Sequence, residues 1–395
     1  MSDGQQYGGL WRLRDDQSAV IDAVCGRVST LGLGDPVVSD AISGAHQRYL
    51  GDACSLNNEV GQPELAEELF GRLDRLVRSR PFTGSREGTE QFLQSATLCP
   101  CRDLALEAAV WDARTHSDSR FQILSLVGSE HGVTTLARTI SGRPEMHEGF
   151  GPLVPGVVYV PADDVDALAQ RLDETVACVV VQPADVDAGM ASLSESWLET
   201  VSELCARQDV RFVVDESRLV FGGTGGPFSL DAIQVTPATD FLWSAGLFGG
   251  LPGGLWLRLG DQPADPSHAK VTLMPGTILA AKVLSATIAA WDGRRDEDAD
   301  LPGRTMATAL AEKVGGFEFV RDIQYLGTNL AIQSDIPGDE VVAAALQRGL
   351  ILESTGGGWV RLQLPPTASE SDWDELLSRM TAAMEALESE TVDLG

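Results

Sequence analysis

The stretch 211–254, RFVVDESRLVFGGTGGPFSLDAIQVTPATDFLWSAGLFGGLPGG, constrains this chain more than any other. RFVVD is a short β-branched and aromatic run that ends in a carboxylate. It has the pattern of a buried parallel strand presenting Asp215 at its carboxyl end. Open α/β sheets bind ligands there, in the crevice beyond the strand ends. A second apolar run, DFLWSAG, follows a turn-rich segment and empties into GLFGGLPGG, a loop with enough glycine for backbone to approach a ligand closely.

The same alternation recurs upstream. VPGVVYVPADDVDALAQRL and TVACVVVQPADVDAG read as strand, helix and strand, and SLSESWLETVSELCARQ sets Trp197, Val201, Leu204 and Cys205 on one helical stripe leading into RFVVD. Such alternation predicts a doubly wound, mostly parallel sheet between helices. GQPELAEELFGRLDRLV predicts a strong amphipathic helix with Leu65, Leu69, Leu73 and Leu76 on one face. Trp197 is read as a core residue, and Asp185 and Asp187 as solvated carboxylates of a polar loop. The charge run DGRRDEDADLPG, closed by Pro-Gly, is the best linker, and strand–helix alternation resumes beyond it.

Charge narrows the partners. Fifty-eight acidic against 29 basic side chains give a net charge of -29, which repels nucleic-acid backbones and anionic membranes. No apolar run reaches the roughly 18 residues of a spanning helix, and the start MSDGQQYGGLWRLRDD lacks a basic flank followed by an apolar stretch. These features predict a cytoplasmic chain with no nucleic-acid or membrane partner. Six scattered cysteines predict no disulfide framework. Cys99-Pro100-Cys101 has no nearby His or second Cys pair, so no metal site is expected. Lysine is scarce: only Lys270, Lys282 and Lys313 stand against 26 arginines.

DESRLVFGGTGGPF is similar to the D-E-V-Q-T-G-F-G-R-T-G-K-x-F signature of class III aminotransferases, the acetylornithine and ornithine aminotransferase group. AGLFGGLPGG is similar to their K-G-L-G-G-G-L-P-I-G. The resemblance runs in consistent order from about residue 30 to 387. It implies the pyridoxal-phosphate-dependent transferase fold type I, an α/β architecture like that of aspartate aminotransferase. The expected divisions are an amino-terminal segment, 1–60, that joins the small domain; a large domain, 61–291, with a mixed, mostly parallel sheet; and a small α/β domain, 292–395.

The resemblance also assigns the site. Asp215 matches the carboxylate that holds the cofactor's ring nitrogen, Arg218 the glutamine beside its phenolic oxygen, and Arg361 of VRLQLPP the arginine that grips a substrate carboxylate. Ser95 and Thr97 match part of the S-G-[AST]-E-A helix opening that binds phosphate, with Ala96 at the glycine. Glu130 stands at the aromatic that stacks on the pyridine, followed by His131. Thr272 matches the threonine that reaches across the dimer to the neighbour's phosphate. The lysine of the Schiff base falls on Ala245.

A pyridoxal enzyme needs an amine to hold the cofactor as an imine and to shuttle a proton. A methyl group does neither, and a carboxylate cannot supply a stacking face. The expectation is therefore weak or absent pyridoxal phosphate binding and no catalytic residue. It describes a pseudoenzyme that pairs with a lysine-bearing class III aminotransferase and lends it Thr272. A homodimer that binds a small amino acid or acyl-amino acid through Arg218 and Arg361 is the second reading. The third is an active enzyme with Lys270, or a pyridoxamine form, in place of the usual imine. Asp215 and Arg361 also have plain structural readings, as partners of Arg218 and of one of the many acids.

Overall fold

The computed structural model describes residues 9–13, 18–49, 63–79, 91–116, 120–231, 240–243, 246–264, 270–294 and 302–393. Its centre is an eight-stranded sheet. In spatial order the strands are Lys270–Leu273, Phe92–Cys99, Gly254–Gly260, Asp240–Trp243, Arg211–Asp215, Val176–Val181, Gln122–Leu126 and Val157–Val160. Gly254–Gly260 runs against both of its neighbours, and the other pairings are parallel. Val176–Val181 and Arg211–Asp215 are buried along their whole lengths, as a strand covered by helices on both faces must be.

Helices close the two faces. Pro63–Arg78 buries Leu65, Leu69, Leu73 and Leu76, each contributing about 1.5–3 kcal/mol on leaving water. Glu195–Arg207 starts where the Ser194 hydroxyl accepts the Trp197 N–H at 3.2 Å, an N-cap. Trp197 is buried in the large apolar core, as its stripe predicts.

A second core lies in the carboxyl-terminal lobe. Its antiparallel sheet orders Val320–Leu326, Asn329–Ser334, Trp359–Gln363 and Glu353–Gly356. Helices Pro302–Val314, Gly338–Gln347 and Glu370–Asp393 accompany it. Amino-terminal strands Trp11–Leu13 and Ala19–Asp22 join Leu350–Ile351 in a three-stranded sheet. Other parts of the amino-terminal segment meet the large core. Helix Pro36–Tyr49 packs on helix Ile278–Arg294, and Leu31 and Val38 belong to the large core. Residues 295–301, the heart of the expected linker, lie outside the described residues. Among the described residues no helix is long and apolar enough to cross a membrane.

Candidate functional site

Three parallel strands end side by side and aim their next residues into one crevice. Asp215 closes Arg211–Asp215, Gln182 follows Val176–Val181, and Glu130 and His131 come four and five residues after Gln122–Leu126. Ala245, at the expected Schiff-base position, lies outside the described residues, between Trp243 and Gly246.

Asp215 is buried, and His131 Nδ1 sits 2.7 Å from its Oδ2 while the Ser217 N–H donates to Oδ1 at 3.0 Å. Burial alone would push this carboxyl up. The His131 hydrogen bond and charge, with Ser217, hold it below its ordinary value instead. Its sequence-expected partner, Arg218, is not its partner. The His131 ring is fully buried, and its Nε2 has no hydrogen-bond partner among the described residues.

Arg218 turns the other way. Its guanidinium reaches Glu130 at 3.0 Å and grips Asp187 through two contacts of 2.6 and 2.8 Å. Glu130 in turn pairs with Arg102 at 2.9 Å. Gln182 fixes Glu130 by accepting its backbone N–H at 3.1 Å and donating to its carbonyl. Glu130 is thus a bridge between two arginines.

Asp187 is the hub. Beside Arg218 it takes Arg143 at 2.8 Å and Arg361 at 3.1 Å, and Arg361 also pairs with Glu353 at 2.9 Å. Burial would raise the Asp187 carboxyl, but three guanidiniums hold it below its ordinary value. The same contacts raise Arg218 against its burial, whereas burial wins at Arg361 and lowers it. The sequence expectation of a solvated Asp187 is overturned: the loop after Val176–Val181 folds toward the small lobe, where Arg361 waits. Asp185 is likewise held, 2.7 Å from Arg143.

Ser95 and Thr97 are not at a helix opening. Both lie within strand Phe92–Cys99, opposite Arg258 and Trp256, and the following helix begins only at Arg102. Cys99-Pro100-Cys101 joins the strand to the helix, with Cys101 at the N-cap, so the opening lies beyond the residues that resemble the motif. At the true opening stand Arg102, already paired, and Asp103. Asp103 Oδ2 accepts the Val133 and Thr134 N–H groups at 2.7 and 2.9 Å. Gly132, at φ +140°, lies so close that a Cβ there would meet the Asp103 carboxylate at 2.4 Å.

Thr272 sits half-buried on edge strand Lys270–Leu273, opposite Thr97 and four strands from Asp215. It does not meet the crevice of its own chain. Gly246, at φ +81°, exchanges backbone hydrogen bonds of 2.9 Å with Arg27 and Thr30, and a Cβ there would strike the Gly26 carbonyl at 2.4 Å. Its close approach is to its own chain.

A crevice at the carboxyl ends of a mixed sheet, built across two lobes with a strand-end aspartate at its floor, defines a type I pyridoxal-phosphate transferase fold. A family model described as Aminotransferase class-III matches residues 6–384, and the chain belongs to that family. It is 27% identical over 383 residues to the acetylornithine aminotransferase of Corynebacterium efficiens, covering 93% of each chain. To that of Agrobacterium fabrum it is 26% identical over 391 residues, covering 96% of this chain and 92% of the other. Among solved structures, the Toxoplasma gondii ornithine aminotransferase superposes with a TM-score of 0.75 at 22% identity, covering 98% of this chain and 93% of that one. A transaminase from the marine bacterium Virgibacillus gives 0.81 at 19% identity, with the same coverage.

The residues present do not fit pyridoxal phosphate in the way that fold uses it. Position 245 is alanine, and no lysine stands in. Lys270 lies on the far edge strand, Lys282 pairs with Glu68 at 3.9 Å on helix Ile278–Arg294, and Lys313 ends helix Pro302–Val314 in the small lobe. The chain Arg102, Glu130, Arg218, Asp187 is charge-matched internally.

Proposed function

We propose that this chain is a class III aminotransferase homologue that has given up imine chemistry and serves as a non-catalytic subunit. Its partner in this reading is a lysine-bearing class III aminotransferase, whose pocket it completes or regulates from the cytoplasm. The observation that carries the reading is the run of guanidinium–carboxylate contacts from Arg102 through Glu130 and Arg218 to Asp187, beside an alanine at the Schiff-base position. Pyridoxal phosphate binding is then weak or absent. Thr272, remote from its own crevice and on an edge strand, remains free of that network and suits a role toward a neighbouring subunit.

The test is co-expression of the tagged chain with the class III aminotransferases of its source. Recovery of a mixed dimer, with the partner's rate altered by the presence of this chain, supports the reading. A homodimer of full stability that captures none of them ends it.

A second reading is favoured by Arg218 and Arg361 converging on one carboxylate: a homodimer that binds a small amino acid or acyl-amino acid whose carboxylate displaces Asp187. It requires thermal stabilisation by such ligands and none by pyridoxal phosphate.

A further inference from the structure

Beyond Val176–Val181 the chain turns into a hairpin, Ala184–Asp185 against Ala191–Ser192, whose tip carries Asp187. The two strands pair at only two positions, and a two-stranded hairpin with so little pairing does not hold itself in water. Its order rests on its dock. That dock is the small lobe. The Thr355 hydroxyl donates to the Asp187 carbonyl at 3.0 Å, and the Trp359 ring lies so near Gly189 that a Cβ there would meet it at 2.4 Å. Val186 and Met190 of the tip share one small apolar cluster with Leu326, Ala331 and Trp359. Met190 takes φ +61°, a conformation rare for a residue with a side chain, so the packing has to impose it.

The rest of the dock is ionic. Both Asp187 oxygens are engaged: Arg218 reaches them at 2.6 and 2.8 Å, Arg143 takes Oδ2 at 2.8 Å, and Arg361 takes Oδ1 at 3.1 Å. Each of these guanidiniums also holds a second carboxylate, Asp185 for Arg143, Glu130 for Arg218 and Glu353 for Arg361. A free carboxylate in the place of Asp187 meets the same donors with the same charge, while Asp187 passes to water. The exchange needs no vacant cavity. It needs the hairpin to leave, and a unit held by so few contacts is one that opens locally while the sheets beside it stay folded.

We propose that hairpin 184–192 is a displaceable strap between the two lobes: a small carboxylate taken up by Arg143, Arg218 and Arg361 expels Asp187 and undocks the hairpin from Thr355 and Trp359. This rests on the second reading above, in which such a carboxylate is the ligand, and adds what its binding does to the fold. The strap also sets the affinity, since the ligand binds in proportion to the fraction of molecules whose hairpin is free.

Calorimetry on the full chain follows binding, and hydrogen exchange of peptides covering 184–193, read by mass spectrometry, follows the strap. The probe is N-acetylglycine, with N-acetylglycinamide as its neutral match and potassium chloride at equal ionic strength. The expected result is saturable binding at about 10 mM or tighter and none of the amide. Exchange of the hairpin amides should quicken about tenfold in step with that binding. Asp187→Asn should bind N-acetylglycine about tenfold tighter, and its hairpin exchange should no longer respond to the ligand. Thr355→Val, which touches none of the three arginines, should tighten binding about threefold, the scale of one hydrogen bond, and serves alone if Asp187→Asn does not fold. Binding that leaves hairpin exchange unchanged overturns the strap and leaves the ligand reading standing, as does an affinity unchanged in these variants. No binding to the parent ends both.

Discussion

His131 Nδ1 and Asp215 Oδ2 lie 2.7 Å apart with both side chains out of contact with solvent. By its resemblance to the class III aminotransferases, Asp215 matches the carboxylate that holds a cofactor's ring nitrogen. Here a neighbour in the fold engages it, and the pair is a structural element whose worth can be measured.

Removing His131 leaves Asp215 buried with only the Ser217 N–H. His131→Ala is expected to cost roughly 3–5 kcal/mol at neutral pH, the scale of an uncompensated buried charge. Because the folded Asp215 lies below its ordinary value, its contribution is present above the unfolded pKa of about 3.9 and is lost as pH falls through the lower folded value. Without His131 the carboxyl can take up a proton in the folded state, so the deficit should shrink toward acid pH. Urea unfolding of both proteins at pH 7 and pH 5 decides it: an equal deficit at the two pH values contradicts the assignment.

Glu216, next in sequence, behaves in the opposite sense. Burial pushes its carboxyl up to about 7, although the Ser229 N–H and hydroxyl and the Trp243 indole N–H all donate to it. A folded pKa above the unfolded one stabilises fully below the unfolded value of about 4.3 and is lost as pH rises through about 7. Glu216→Gln removes the charged form. It should leave stability at pH 5 within about 1 kcal/mol of the parent and raise it by up to about 3 kcal/mol at pH 8. Thermal unfolding across that range is the measurement, and a variant less stable than the parent at pH 8 refutes it.

Much of this was legible in the residues. Unbroken β-branched runs such as VACVVV and RFVVD admit few structures other than buried parallel strands, and the leucine spacing of 65, 69, 73 and 76 fixed a helix face that the structure buries. Asp215 at a strand end followed from the same logic. What sequence could not give was pairing across the two lobes. Asp187 and Arg361 are 174 positions apart, and no local pattern tells a loop carboxylate that meets three guanidiniums from one that meets water. The surplus of arginine over lysine was the available signal, since the planar guanidinium suits buried bidentate pairs. The misplaced helix opening had a local cause: Ser95 and Thr97 mimic a motif inside a strand, while the real opening carries Arg102 and Asp103, which resemble nothing in it.

Asp187 balances Arg143, Arg218 and Arg361, so Asp187→Asn should leave the three guanidiniums with one carboxylate each, Asp185, Glu130 and Glu353, of which Glu130 is shared with Arg102. The expected loss is about 3 kcal/mol or more at low ionic strength. An added divalent anion should replace the missing charge, so sulfate or succinate should raise the melting temperature of Asp187→Asn by several degrees more than that of the parent. Calorimetry with chloride at equal ionic strength separates specific replacement from screening. Equal responses of the two proteins would mean the arginines are neutralised elsewhere.

If the alanine at 245 were the only obstacle to imine chemistry, Ala245→Lys alone would let pyridoxal phosphate bind covalently. The ion chain argues otherwise. Arg102 at the helix opening, Glu130 between two guanidiniums, and Arg218 bonded to both Glu130 and Asp187 satisfy one another, and in the proposed reading a cofactor that enters leaves at least one of these charges unpaired. Each such loss costs several kcal/mol, which outweighs a single new amine. Ala245→Lys is therefore expected to give no borohydride-fixed adduct at stoichiometric pyridoxal phosphate. Adding Glu130→Phe, Arg218→Gln and Arg102→Gly clears the chain, supplies a stacking face and frees the helix N–H groups for a phosphate. That fourfold variant should fix the cofactor on residue 245, read as a mass increase on its tryptic peptide, with binding at least about tenfold tighter than in the single variant. Stoichiometric labelling of the single variant would show that the ionic network yields to the cofactor after all, and that the lysine alone was what this chain had lost.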